Sequence, residues 1–127
     1  MARTAITTAV GAAVGPYSMG IDTGALIFLS GQTPLDPATG TLVDGDIAAQ
    51  TRRCLDNLAA VLDATGLTLD DVVKCNVFLT DMADFAAMNA AYADYFTEPF
   101  PARTTIAVAG LPLGAQVEIE LVAQRPT

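Results

Sequence analysis

The hydrophobic and polar positions divide the chain into segments of two different periods. Ile47, Thr51, Cys54, Leu55, Leu58, Val61 and Leu62 recur three and four apart, with Arg52, Asp56 and Asp63 off that stripe. Such spacing puts one apolar face on a helix. Asp46 is its expected N-cap and Gly66 its C-terminal stop. Val72 to Leu79 alternates instead, with Val73, Cys75, Val77 and Leu79 on one side, and predicts a strand. A second helix is predicted from about Met82 to Phe96, carrying Met82, Phe85, Asn89, Tyr92 and Phe96 on one face, with Thr80 or Asp81 as its cap.

Shorter pieces flank these two helices. Residues 4–9 have the β-branched content of a short strand, and Tyr17 to Asp22 forms another extended piece. The apolar run Ala25–Leu29 is too short for a helix and reads as a buried strand. Asp36-Pro37-Ala38-Thr39-Gly40 is a turn by its chemistry, and Pro99 with Pro101 makes Thr97–Ala102 a loop. Arg103–Val108 and Gln116–Ala123 read as two strands joined by a turn-rich segment around Gly110 and Gly114. The order β-β-β-α-β-α-β-β, with two helices covering one face of a mixed sheet of about six strands, predicts an α+β sandwich. At 127 residues, without linker or repeat, residues 1–127 read as a single domain. A chain of this length buries roughly two-thirds of its unfolded surface without a disulfide or metal staple.

The last two strands carry the most informative pairing. Taken as a hairpin with Arg103 opposite Glu118, the register sets Thr105 opposite Gln116, and the arginine and the glutamate project from the same side. Val117, Ile119 and Leu121 then share the other face. Two readings stand. One is a cross-strand ion pair worth under ~1 kcal/mol. The other is a carboxylate clamp beside an acid/base group, for which the planar fork of arginine is suited. Asn89 on an apolar stripe needs a buried partner or a cavity, so it either bonds backbone or meets a ligand. Tyr92 and Phe96 read as core. Gly15-Pro16-Tyr17 and Ser30-Gly31-Gln32 read as loop pieces, open to either turn chemistry or ligand contact.

Composition narrows the chemistry. Net charge is −8, from 14 acids against 6 bases, and the bases Arg3, Arg52, Arg53, Lys74, Arg103 and Arg125 are scattered. A nucleic-acid surface needs clustered cations, and an anionic membrane repels an acidic chain, so neither partner is expected. Histidine is absent. That removes imidazole catalysis and the commonest zinc ligand. Cys54 and Cys75 sit in periodic apolar segments and read as buried reduced thiols, with a Cys54–Cys75 disulfide as the alternative. Reduced thiols, no signal-like N-terminus and no run near ~20 apolar residues make a cytoplasmic address the expectation. Apolar residues make up 52% of the chain, a surplus over ordinary usage once glycine is counted, which hints at buried subunit contacts.

Eight short motifs occur in one order. They are Gly15-Pro16-Tyr17-Ser18, Ser30-Gly31-Gln32-Thr33-Pro34, Asp36-Pro37-Ala38-Thr39-Gly40, Asn57-Leu58, Asn76-Val77-Phe78-Leu79, Asn89-Ala90-Ala91-Tyr92, Pro101-Ala102-Arg103 and Val117-Glu118-Ile119-Glu120. Over nearly its whole length the chain thereby resembles the Rid (YjgF-like) reactive-intermediate deaminases. The resemblance implies a chorismate-mutase-like fold, a homotrimer with active sites between subunits, and no cofactor or metal. It also implies hydrolysis of short 2-imino or enamine acids, such as 2-iminopropanoate, to the 2-oxo acid and ammonia. Arg103 would bind the substrate carboxylate and Glu118 would orient or deprotonate the attacking water. Tyr17, Ser30, Gly31 and Asn89 would line the pocket, and Thr105 stands where the family often has cysteine. The segment between Asn89 and Arg103 is about three residues shorter than in better-known members. The rivals to a deaminase are an endoribonuclease or translation inhibitor, also attached to this family, and a non-catalytic module that binds small acids.

Overall fold

The computed structural model describes residues 3–8 and 13–127. Six strands form one mixed sheet: β1 Thr4–Ala5, β2 Gly20–Asp22, β3 Leu26–Gln32, β4 Val72–Leu79, β5 Ala102–Ala107 and β6 Val117–Gln124. Two helices, α1 Ile47–Asp63 and α2 Phe85–Ala93, complete the expected α+β sandwich. The strands lie in the order β1-β2-β3-β6-β4-β5. Every contact in that series is antiparallel except β4 with β5, which is parallel. β1 is shorter than the expectation over 4–9, whose last residue, Ala9, lies outside the described residues.

The helix stripe read from spacing is the core. Ile47, Thr51, Cys54, Leu55, Leu58, Val61 and Leu62 are all buried, against Ile27, Leu29, Cys75, Val77, Leu79, Val117, Ile119 and Leu121 from the sheet. Asp46 caps α1 by accepting from the Ala49 amide, and Gly66 takes a φ of 80°, which suits a residue without a Cβ. Both cysteines are buried and unbridged, and burial holds both thiols above their ordinary pKa.

Three expectations need correction. Arg103–Val108 and Gln116–Ala123 do not form a hairpin, because β4 lies between β5 and β6. The register puts Cys75 beside Arg103 on one side and Leu121 on the other, and Phe78 beside Glu118. In β4 the pairing shifts between Val72 and Lys74, so Val72 is buried and Val73 exposed. The second helix ends at Ala93 and begins with a 3₁₀ turn, Met82–Asp84, capped by Asp81. Its buried residues are Met88, Ala91 and Tyr92, while Met82 and Phe85 are exposed. Tyr92 and Phe96 are core, their ring centroids 4.6 Å apart.

Burial sets the energetic scale of each contact. Leu58→Ala should cost ~2–5 kcal/mol in urea denaturation, since Leu58 is fully buried between α1 and the sheet. Arg52→Ala, which breaks the exposed 2.8 Å pair with Asp94, should leave the denaturation midpoint close to that of wild type. Equal losses from the two would contradict this assignment of the core.

Candidate active site

Arg103 leaves the sheet on the helix-covered side, because its partner Cys75 belongs to the buried row of β4. α2 runs above it. The Arg103 Nη2 donates to the Asn89 Oδ1 at 2.6 Å, and the Cζ lies 4.7 Å from the Tyr92 ring centre and 5.7 Å from that of Phe85. Two aromatic faces and an amide oxygen thus hold the guanidinium. No carboxylate pairs with it among the described residues. A cleft of about 430 Å³ opens beside it, lined by Asn89, Tyr92, Ala93, Phe100, Pro101 and Arg103. The Thr105 Oγ1 is buried without a hydrogen-bond partner, and the buried Tyr92 hydroxyl has the Cys75 thiol as a weak neighbour. Burial is also the main cause that raises the Tyr92 pKa, so the phenol is neutral.

A second cluster forms on the opposite face. Ser30 and Gly31 are not loop residues but lie inside β3. Leu29 pairs with Leu121 and Gln32 with Ile119, so Ser30 and Gly31 together face Glu120 in a β-bulge. The bulge brings the Gly31 Cα against the Glu118 side chain. A Cβ on Gly31 would stand 2.9 Å from the Glu118 carboxyl carbon and 3.0 Å from its Oε1. Only glycine leaves that space free. The Ser30 hydroxyl donates to the Ser18 carbonyl at 2.6 Å, and the Ser30 amide to Met19 at 3.0 Å. Those bonds tie the segment after the exposed Tyr17 to the bulge. Partial burial raises the Glu118 pKa, and the like charge of Glu120 raises it further. Glu120 in turn accepts from the Asn76 Nδ2 at 3.0 Å.

The two clusters are therefore separated by the sheet itself. Glu118 shares its face with Phe78, whereas Arg103 lies with Cys75 and Leu121 on the helix face. The expectation that Arg103 and Glu118 project together fails within one chain, because β4 intervenes and their positions in the register are of opposite parity.

A family model described as Endoribonuclease L-PSP matches residues 7–125. The 2-iminobutanoate/2-iminopropanoate deaminase of Escherichia coli K12 is 47% identical over 128 residues, covering 98% of this chain and 99% of its own. Protein DfrA of Myxococcus xanthus is 52% identical over 113 residues, covering 87% and 86%. The crystal structure of the E. coli YjgF gene product superposes with a TM-score of 0.91 at 45% identity, over 97% of this chain and 99% of that one. E. coli TdcF, solved with bound serine, gives a TM-score of 0.91 at 39% identity, over 97% and 99%. The chain belongs to the Rid (YjgF-like) family.

In this Rid protein Asn89, Thr105 and Arg103 gather under α2, and Ser30, Gly31 and Glu118 gather at the bulge with Tyr17 in the adjoining segment. The Asn89 oxygen accepts from Arg103 instead of bonding backbone, and Asn89 lines the cleft. Residue reading missed the aromatic shelf. Phe85 and Tyr92 were visible on one helix face, but only the parallel β4–β5 pairing shows that Arg103 lies beneath them. Among the described residues no group of three or more carboxylates or thiols gathers as a metal site, and no helix is long and apolar enough to cross a membrane.

The shelf makes a direct prediction. Tyr92→Phe keeps the ring over Arg103 and removes a buried hydroxyl whose neighbour is the Cys75 thiol, a weak partner. Stability should change by less than ~1 kcal/mol, because little hydrogen bonding is lost with the hydroxyl. A larger loss in urea titration would mean that the hydroxyl has a stronger partner.

Proposed function

We propose that the protein hydrolyses short 2-imino and enamine acids to 2-oxo acids and ammonia. The observation that carries this reading is the half-buried Arg103, held by two rings and an amide but facing no carboxylate of its own chain. A cation so placed is completed by an anionic ligand. A carboxylate on Arg103 would leave the imine carbon to be attacked by water. The water oxygen forms a bond to that carbon and a proton passes to nitrogen. The hydroxyl proton of the resulting carbinolamine then passes to the amine as the C–N bond breaks, so ammonia leaves and the carbonyl forms. Glu118 is the group for accepting and returning that proton, since its pKa is raised toward the working range by burial and by Glu120.

Arg103 and Glu118 occupy opposite faces of one sheet, so their joint action calls for two copies. We assign the complete site to the boundary between neighbours in a homotrimer, Arg103, Asn89 and Thr105 coming from one chain and Tyr17, Ser30, Gly31 and Glu118 from the next. The exposed apolar side chains Phe28 and Ile106 on the uncovered face of the sheet favour such packing. The relatives named as iminobutanoate/iminopropanoate deaminases support the same chemistry. Ribonuclease activity, which the family description carries, is less well served by six scattered bases and a net charge of −8.

The test generates 2-iminopropanoate in situ and follows its decay. Wild type should accelerate decay, Arg103→Lys should lower kcat/KM by roughly ten- to a hundred-fold, and Arg103→Ala should nearly abolish it. Full hydrolysis by a well-folded Arg103→Ala would refute the clamp. The pH profile checks Glu118. A base must be ionised, so kcat/KM should fall as pH drops through a limb above the ordinary carboxylate value of 4.5. Glu120→Gln removes the like charge and should shift that limb downward, leaving the part due to burial. A limb at the ordinary value in wild type would rule out Glu118 as the base.

A further inference from the structure

β6 turns two carboxylates, Glu118 and Glu120, to the uncovered face of the sheet, two positions apart. The β4 residues opposite them are Phe78 and Asn76, and neither is charged. The Asn76 Nδ2 donates to the Glu120 Oε2 at 3.0 Å. An amide is a neutral donor. Its bond favours the ionised form of Glu120 and leaves the charge of that carboxylate uncancelled. Lys74 stands two residues before Asn76 in the same row of β4, yet its Nζ donates to the Thr104 Oγ1 at 2.9 Å. Among the described residues Lys74 forms no ion pair with Glu120. Both bonds lie within one chain and do not depend on what covers the face.

Resting on Glu118 as the base, we propose that Asn76 is a positioning residue: its amide fixes the ionised Glu120 beside Glu118 and so sets the pH range over which Glu118 accepts a proton. The like charge disfavours ionisation of Glu118 and adds to the larger effect of burial. The remaining neighbours of Glu118 in the chain carry no charge. They are Ser30 and Gly31 of the bulge, Phe78 from β4, and Thr104 and Ile106 further along the face from β5. Behind the sheet α1 presents Cys54, whose thiol burial keeps protonated. In the proposed trimer Arg103 of the partner subunit faces Glu118 as well, and it is the same in every variant below.

Carbon NMR of the glutamate carboxyls in the whole protein reads Glu118 without turnover, its resonance assigned by its loss in Glu118→Gln. Asn76→Ala should lower the titration midpoint of Glu118, by no more than Glu120→Gln does, because the released carboxylate turns to solvent or to Lys74. Added to Glu120→Gln, Asn76→Ala should lower it no further. Asn76→Lys keeps a donor opposite Glu120 and adds a cation. It should lower the midpoint at least as far as Asn76→Ala, and it carries the test if Asn76→Ala does not fold. An unchanged midpoint in either folded variant would overturn the proposal, as would the same drop from Asn76→Ala with and without Glu120. A midpoint that moves while the acid limb of kcat/KM stays would uphold the Asn76 contact and count against Glu118 as the base.

Discussion

The parallel pairing of β4 with β5 is the constraint from which the rest of the site follows. Two parallel neighbours cannot be joined by a tight turn, so the chain must cross over the sheet, and it does so through α2. That crossover lays α2 along the same face as the β5 side chains Arg103 and Thr105. Arg103 consequently meets Phe85, Asn89 and Tyr92 from consecutive turns of one helix. A hairpin between β5 and β6 would have sent the same arginine to the bare face, beside two glutamates. The cation would then have been neutralised by its own chain. In the observed topology it lies against two rings and pairs with no carboxylate among the described residues.

The same topology opens space at the centre of the sheet. β6 enters between β3 and β4 and lies antiparallel to both. Its inner row, Val117, Ile119, Leu121 and Ala123, is buried under α1, which forces Glu118 and Glu120 onto the other face. The bulge at Ser30–Gly31 then lowers the wall over Glu118, and the absence of a Cβ at Gly31 gives the carboxyl its place. Burial first, and the like charge of Glu120 second, raise the pKa of Glu118. Structural and chemical demands meet in one strand.

Local pattern carried much of this fold. The stripe of α1, its Asp46 cap and the full extent of β4 were legible because periodicity and capping are properties of neighbouring residues. The pairing of β5 was not. Consecutive strands usually neighbour one another, and the glycines at 110 and 114 suit a turn, so a hairpin was the natural reading. The opposing signal lay in composition. β5 reads Ala-Arg-Thr-Thr-Ile-Ala and is exposed or half-buried throughout, as an edge strand is, while β6 alternates over eight residues and is buried along one row, as a central strand is. The bulge was hidden for a different reason, since two residues opposing one depends on the register of strands some 90 positions apart. A mistaken hairpin drew attention to Arg103 and Glu118 and the helix stripe to Asn89, and the ordered motifs shared with the family then gave these residues and Gly31 their expected roles.

The proposed division of the site between chains would make each half inert alone and competent in company. Complementation measures that property. Arg103→Ala and Glu118→Gln chains would be purified separately, shown to be inactive, then unfolded together and reassembled in equal amounts. In a head-to-tail ring of three, about a quarter of the boundaries join an intact Arg103 to an intact Glu118, so imine hydrolysis should return to about that fraction of wild type. Mixed rings, verified by mass, that remain as inactive as either parent would contradict a site shared between neighbours.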